Sequence, residues 1–354
     1  MISEDLRTEL RSPDLRLCVI VPAMNEARVI SRTVKSILNA RMLSSDVYVI
    51  DDGSTDGTGA IAASFGVNVL RNEKNVGKAN AIARACSHFD LIKRYDIITL
   101  MDADTMVNEE YYREVRKGFY GRKDVALVCG RAKSVPYNWL TAYRCFGYFV
   151  THFIYREAQS NMGVINVAPG CAASYRSDVF AKLDWNRDTL VEDMDVTLQV
   201  HRQNMGRIVY RPKAEVYTQD PRTLTDYVKQ MNRWYTGTWQ IGLKYNIFTG
   251  WKRLDLEWKL LMGEGMFFGV MLCLFPYFLL KYPMRMMWLT GCDFLITFAL
   301  AVFCGISERR MDVILASPAY VVMRFVDCGV LFASFWKTIV VRKHAEAWFS
   351  VKRY

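Results

Sequence analysis

A chain of 354 residues that is 51% hydrophobic and 23% charged carries enough apolar side chains for a large packed domain, which excludes an intrinsically disordered protein. Its formal net charge of +10 draws anions, but no zinc-finger, RNA-recognition or helix-turn-helix signature accompanies it, so nucleic acid is set aside in favour of a bilayer surface or a phosphorylated ligand. Nine scattered cysteines, without a CxxC pair or zinc-type spacing, read as reduced and mostly buried thiols rather than as a disulfide framework.

The N-terminus, Met1 to Pro13, is charged and has no apolar stretch, so no secretory signal is expected and the main domain is expected to stay in the cytoplasm. Leu17 to Val21 is a continuous apolar run closed by Pro22, as in a strand buried on both faces of a parallel sheet. A helix is predicted from about Ala27 to Leu38, and a second strand, Val47 to Ile50, runs into Asp51-Asp52-Gly53-Ser54. Helix over Thr58 to Phe65, strand over Val67 to Leu70, helix over Gly77 to His88 and strand over Asp96 to Met101 follow, the last ending in Asp102-Ala103-Asp104. This alternation implies βαβ units and a mostly parallel sheet, with ligand bound beyond the carboxyl ends of the strands.

The aromatic segment Tyr137 to Gln159, interrupted by Arg144, reads either as a helix against a membrane or acceptor groove or as a buried core helix. After about Trp258 long apolar runs dominate: Gly265 to Leu280, Met286 to Gly305, and Val313 to Val341, the last carrying Arg324 and Asp327 and broken at Ser317-Pro318. A single crossing would put Arg342, Lys343, Lys352 and Arg353 outside, against the positive-inside tendency, so a re-entrant or hairpin arrangement is preferred. The expected organisation is a tail over 1–15, a catalytic domain over 16–245, an interfacial helix over 246–263, a membrane region over 264–341 and a basic tail over 342–354.

Several clusters carry chemistry. Carboxylates at Asp51, Asp52 and Asp56 could grip a base or ribose, although Ser54 and Asp56 would also serve a helix N-cap. Asp102 and Asp104, at alternating spacing after an apolar strand, could hold Mg²⁺ or Mn²⁺ against phosphate oxygens. Lys78 adds a positive charge or is an ordinary helix-start lysine. Glu192-Asp193 opens a helix, where acidic residues are favoured by the macrodipole in any case. Gln230, Arg233 and Trp234 share a face of a helix beginning at Leu224, suited to diphosphate and sugar or simply packed at a surface.

The order of these motifs, VPAMNE, DDGSTD, NVGKANA, DAD, ED and QMNRW, resembles the family 2 inverting glycosyltransferases, including the cellulose, chitin and hyaluronan synthase relatives, over about Leu17 to Trp234. The resemblance implies an α/β, GT-A-like nucleotide-sugar-binding domain with a mostly parallel central sheet, followed by C-terminal transmembrane helices. It implies that Asn25, Glu26, Asp51, Asp52, Lys78 and Asp102 meet the nucleotide, that Asp102 and Asp104 bind Mg²⁺ or Mn²⁺, and that Asp193 is the general base. Gly170, Cys171, Glu192, Gln230, Arg233 and Trp234 would form the acceptor and pyrophosphate side.

The implied partners are a nucleotide-sugar donor, most simply a UDP-sugar, a saccharide, lipid-linked or protein acceptor, and membrane lipid, with the catalytic domain on the cytoplasmic face of the plasma membrane. The oligomeric state stays open. Unlike the larger synthases, the sequence shows no transmembrane segment ahead of the catalytic motifs, so a translocation channel formed by one chain is not expected. A polyprenyl-phosphate glycosyltransferase and a catalytically silent nucleotide-binding scaffold are the alternatives. A dinucleotide enzyme is disfavoured because no GxGxxG follows the first strand.

Overall fold

The computed structural model describes residues 15–185 and 189–342, so most of both terminal tails lies outside the described residues. Strand β1 (Leu17–Ala23) is apolar at nearly every position because both its faces are covered. Leu17, Val19 and Val21 point into one core with Ile30, Val34 and Ile37 of α1 (Ile30–Asn39). Cys18 and Ile20 point into the other with Ala81, Ile82 and Ala85 of α3 (Lys78–His88). The period of two along the strand therefore feeds two separate layers of helices.

Strands β2 (Val47–Asp52), β3 (Asn68–Asn72) and β4 (Ile97–Leu100) complete the parallel half of the sheet, with α2 (Thr58–Ala63) between β2 and β3. Four further strands follow: β5 (Met106–Val107), β6 (Val125–Ser134), β7 (Ala173–Arg176) and β8 (Arg207–Thr218). The sheet order is β3-β2-β1-β4-β7-β6-β8-β5. β2, β1 and β4 are parallel neighbours, so their carboxyl ends share one edge. β7 runs antiparallel to both β4 and β6, a reversal that the sequence reading did not contain. Helix α4 (Tyr111–Phe119) packs Tyr111, Tyr112, Val115 and Phe119 into the first core.

Helix α5 (Trp139–Phe149) is capped by Asn138 and continues through a π-helical segment, Val150–Arg156. It is a core helix on one side, with Leu140, Ala142 and Phe149 buried, while Phe153 and Ile154 stay exposed on the other. Helix α6 (Glu192–Arg202) and helix α7 (Leu224–Lys244) close the domain.

Three long helices follow: α8 (Arg253–Lys281), α9 (Pro283–Ser307) and α10 (Ser317–Phe335), the last continuing as a π-helical turn to Val340. Each is long and apolar enough to cross a membrane. Helix α8 runs unbroken through the boundary expected at 263/264. In its first turns Trp258 is buried edge-on against Trp239 and Phe248 and Asp255 is paired with Arg202, while Leu256 and Leu260 face outward. Helix α10 lies along α7, tied by Trp239 Nε1 donating to Ser334 Oγ at 3.1 Å. The nine cysteines are all free: Cys18, Cys129, Cys145 and Cys304 are buried, Cys86, Cys171 and Cys328 half-buried, and Cys273 and Cys292 exposed on α8 and α9, so fewer are fully buried than expected.

Candidate active site

The parallel edge brings the N-terminal motifs together. After β1 the chain turns through Asn25 in a left-handed conformation (φ 55°), and its side-chain oxygen accepts the Thr55 N–H at 2.9 Å. Glu26 is buried, its backbone N–H donating to Thr58 Oγ1 at 2.9 Å. Asp51 and Asp52 are 2% and 4% exposed, and both belong to β2 itself rather than to the turn after it. Asp52 accepts hydrogen bonds from Asn72 Nδ2 (2.8 Å) and from the backbone N–H groups of Val76 (2.9 Å) and Gly77 (2.8 Å). Asp51 accepts from the Ser54 N–H at 2.9 Å, and its other oxygen lies 3.8 Å from Arg71. These carboxylates fasten the loops that wall the crevice. Gly53 (φ 76°) is required between them, because a Cβ there would stand 2.7 Å from the Asn75 nitrogen.

The deeper part of the site is a chain of opposite charges. Lys78, at the first position of α3, places its Nζ 2.9 Å from Asp102 Oδ1 and 3.0 Å from Glu192 Oε1. Burial works against the ammonium charge, but the two facing carboxylates outweigh it and hold Lys78 well above the ordinary lysine range. The same contact offsets the burial of Glu192 and keeps its carboxyl below the usual value. Next along α6, half-buried Asp193 behaves oppositely. Burial and the adjacent Glu192 charge push its carboxyl up to about 6, even though it accepts from Gly170 N at 3.2 Å and from its own neighbour Met194 N at 2.8 Å. Thr197 donates to the Asp193 carbonyl (2.6 Å) and accepts from Ala168 N (2.9 Å), joining α6 to the loop that presents Gly170 and Cys171. Burial, then the charges of Asp102, Asp104 and Asp193, raise the Cys171 thiol well above its usual range.

Asp104 is 8% exposed and lines a cavity of about 40 Å³ with Arg32, Thr33, Tyr137, Asp220 and Arg222. Among the described residues no three His, Cys, Asp or Glu side chains converge as a ready-made metal cage. Two hard carboxylates reached by substrate phosphates are, however, the donor set that Mg²⁺ and Mn²⁺ use in such sites. By donor chemistry Asp102 and Asp104 suit such an ion, with Asp102 held by Lys78 and Asp104 lining the neighbouring cavity.

On α7, Gln230 is 9% exposed and its side-chain oxygen is buried with no hydrogen-bond partner, while Arg233 and Trp234 are half-buried. Trp234 is held by a feature the motif reading missed: buried Arg144 sits 4.7 Å from its ring and donates to Asp220 Oδ1 (3.1 Å) and Tyr148 OH (2.7 Å). The only sequence signal was a cation interrupting an aromatic run. Asp195 is a second missed element: buried, it meets Lys244 Nζ at 3.0 Å and Tyr245 OH at 2.8 Å, which pins the helix of Asp193 to the end of α7.

Comparison with known proteins gives concordant results. The family described as "Glycosyltransferase like family 2" matches residues 13–237. The chain is 25% identical over 254 residues to the poly-beta-1,6-N-acetyl-D-glucosamine synthase of Staphylococcus epidermidis, covering 69% of this chain and 60% of that protein. It is 29% identical over 242 residues to the hyaluronan synthase of Streptococcus pyogenes, covering 62% of this chain and 56% of that one. The chain thus matches less than two thirds of the length of either relative. Among solved structures, a mannosyltransferase from Pyrobaculum calidifontis in complex with GDP-Man and Mn²⁺ superimposes with a TM-score of 0.60 at 17% identity, covering 90% of this chain and 93% of that one, a likeness of fold.

Proposed function

The chain belongs to the glycosyltransferase-like family 2, and from that premise we propose that it is a membrane-embedded, metal-dependent, inverting transferase that moves a sugar from a nucleotide-sugar to an acceptor hydroxyl. The observation that carries the reading is the Asp193 carboxyl, raised to about 6 beside Gly170 and within the same charge chain as Lys78 and Asp102. A base with that value is deprotonated at neutral pH and still able to hold a proton.

Asp193 takes the acceptor proton while the hydroxyl attacks the anomeric carbon from the face opposite the nucleotide, and no covalent sugar intermediate is formed. Lys78 bridges the nucleotide side to Glu192 and stabilises negative charge that develops toward the diphosphate. Asp102 and Asp104 would hold Mg²⁺ or Mn²⁺, which supplies charge neutralisation for the leaving diphosphate. Asn25, Glu26, Asp51 and Asp52 shape the nucleoside pocket. Gly170, Cys171, Gln230, Arg233 and Trp234 face the acceptor and pyrophosphate. The Mn²⁺ and GDP-Man held by the similar mannosyltransferase support the ion and the donor class, and the relatives' names support a saccharide acceptor, with lipid-linked and protein acceptors as the other classes. The three apolar helices support embedding in a membrane; the plasma membrane, with the sheet domain on its cytoplasmic side, is the location this reading assigns.

The test is nucleoside diphosphate release from a panel of UDP- and GDP-sugars by detergent-purified protein, with Mg²⁺, Mn²⁺ or chelator, with and without membrane extract. Chelator-sensitive turnover of one donor is expected, a UDP-sugar first among the candidates. No turnover of any donor in the presence of extract would favour a silent nucleotide-binding scaffold.

A further inference from the structure

Beneath α7 the apolar helices border a second, open cavity, about 180 Å³, lined by Tyr235, Gly265, Phe268, Arg324, Asp327 and Leu331, with Cys328 at its wall. Tyr235 directly follows Trp234, so the space adjoins the helix that carries Gln230 and Arg233. Its wall is apolar and partly outward-facing at Phe268, which is 38% exposed on a helix of membrane-spanning length. Ionisable groups in such helices are costly and mark ligand paths more often than they serve packing.

The charges in this cavity are already assigned. Arg324 Nη1 lies 2.7 and 2.5 Å from the two carboxylate oxygens of Asp293 on α9, and its Nη2 donates to Thr297. Asp327 accepts one hydroxyl from Tyr143 of α5 and one from Tyr227 of α7, each at 2.6 Å. The guanidinium is thus neutralised by Asp293, and the charge left over is the negative charge of Asp327. A phosphate would meet that carboxylate with no spare cation. A hydroxyl group would not be opposed, because each carboxylate oxygen keeps a further lone pair able to accept. The Tyr235 and Phe268 rings supply apolar surface beside it. A ligand polar and uncharged at one end and apolar at the other fits a cavity walled in this way and open toward lipid.

We propose that this cavity is a lateral binding site for a membrane lipid whose uncharged head carries hydroxyl groups. The proposal rests on the reading of the chain as a membrane-embedded transferase, and it narrows the acceptor side by bringing a hydroxylated lipid beneath the Gln230–Trp234 helix.

The full chain, delipidated in detergent, is mixed with equimolar dioleoylglycerol and dioleoylphosphatidic acid and examined by native mass spectrometry. One dioleoylglycerol per chain should be retained, at least fivefold over the phosphatidic acid, and Cys328→Phe, which fills the cavity, should lower retention at least tenfold. If Cys328→Phe does not fold, Phe268→Ala, which removes apolar wall from the partly exposed side of the cavity, decides, with an expected loss of about threefold. Equal retention of the two lipids, a preference for phosphatidic acid, or wild-type retention in the deciding variant overturns the proposal. Donor turnover by the wild-type chain is measured separately, so that the transferase reading and the lipid site can fail independently.

Discussion

Replacing Asp193 by Asn should remove activity and at the same time stabilise the fold. In the folded chain burial and Glu192 raise this carboxyl from 3.8 to about 6. Below pH 3.8 the folded and unfolded chains both hold the proton and the site costs nothing. Between 3.8 and 6 the unfolded chain gives up its proton first, so stability falls as pH rises, and above 6 the penalty is complete. The rise corresponds to roughly 3 kcal/mol, which partial contact with solvent reduces to about 1–2 kcal/mol. Asn occupies nearly the same space without the charge, but its amide nitrogen replaces one of the two oxygens that accept from Gly170 N and Met194 N, so the midpoint of thermal unfolding at pH 7.5 should increase by only about 1–3 °C over wild type. That gain should shrink to about a third at pH 4.5. Transfer, assayed as nucleoside diphosphate release with acceptor present, should drop by about 10²–10⁴-fold. In the wild type, kcat/KM should climb with pH and level off above an inflection near 6. Wild-type turnover in Asp193→Asn, or an unfolding midpoint unchanged by the substitution at both pH values, would refute the assignment of this carboxylate as a strained base.

Lys78→Met leaves Asp102 and Glu192 facing each other without a cation, and the donor KM should rise about tenfold in steady-state assays, with Lys78→Arg recovering part of the loss. Asp104→Ala should abolish the dependence of nucleotide affinity on Mn²⁺, so that titration calorimetry with and without chelator gives the same weak value; a retained Mn²⁺ effect would move the ion elsewhere. Arg144→Met strands the buried Asp220 charge, and a loss of about 3–5 kcal/mol is expected in denaturant unfolding; a loss below 1 kcal/mol would mean that Asp220 finds another partner. Gly53→Ala should lower both stability and donor binding, because the added Cβ collides with the Lys74–Asn75 backbone at a left-handed position.

How much of this was legible in the chain depended on the range of the interaction involved. Strands β1, β2 and β4 announced themselves as apolar runs ending in polar clusters, since a strand buried on both faces leaves no room for alternation and a parallel sheet sends its strand ends to one edge. The grouping of Asn25, Asp51, Asp52, Asp102 and Asp104 follows from that rule alone. The helix at Glu192 and the shared face of Gln230, Arg233 and Trp234 are equally local, set by the period of the backbone.

What sequence spacing could not supply is where these local pieces meet. Lys78 and Glu192 are 114 positions apart, and their contact exists only because β4 and β7 pair antiparallel and carry α6 back over the start of α3. The raised value of Asp193 arises from burial and from that neighbourhood, so no motif could reveal it. Which face of the 246–263 segment packs was out of reach for the same reason: a Trp- and Leu-bearing amphipathic turn looks identical whether lipid or Trp239 and Phe248 cover it. Asp327 likewise stood out as a charge in an apolar run, but its two tyrosine partners lie on α5 and α7, 184 and 100 positions away. Local periodicity and strand-end chemistry are fixed by the covalent chain. The charges that tune the base and the cavity beneath α7 depend on packing between distant segments, because burial and Coulomb interaction act through space.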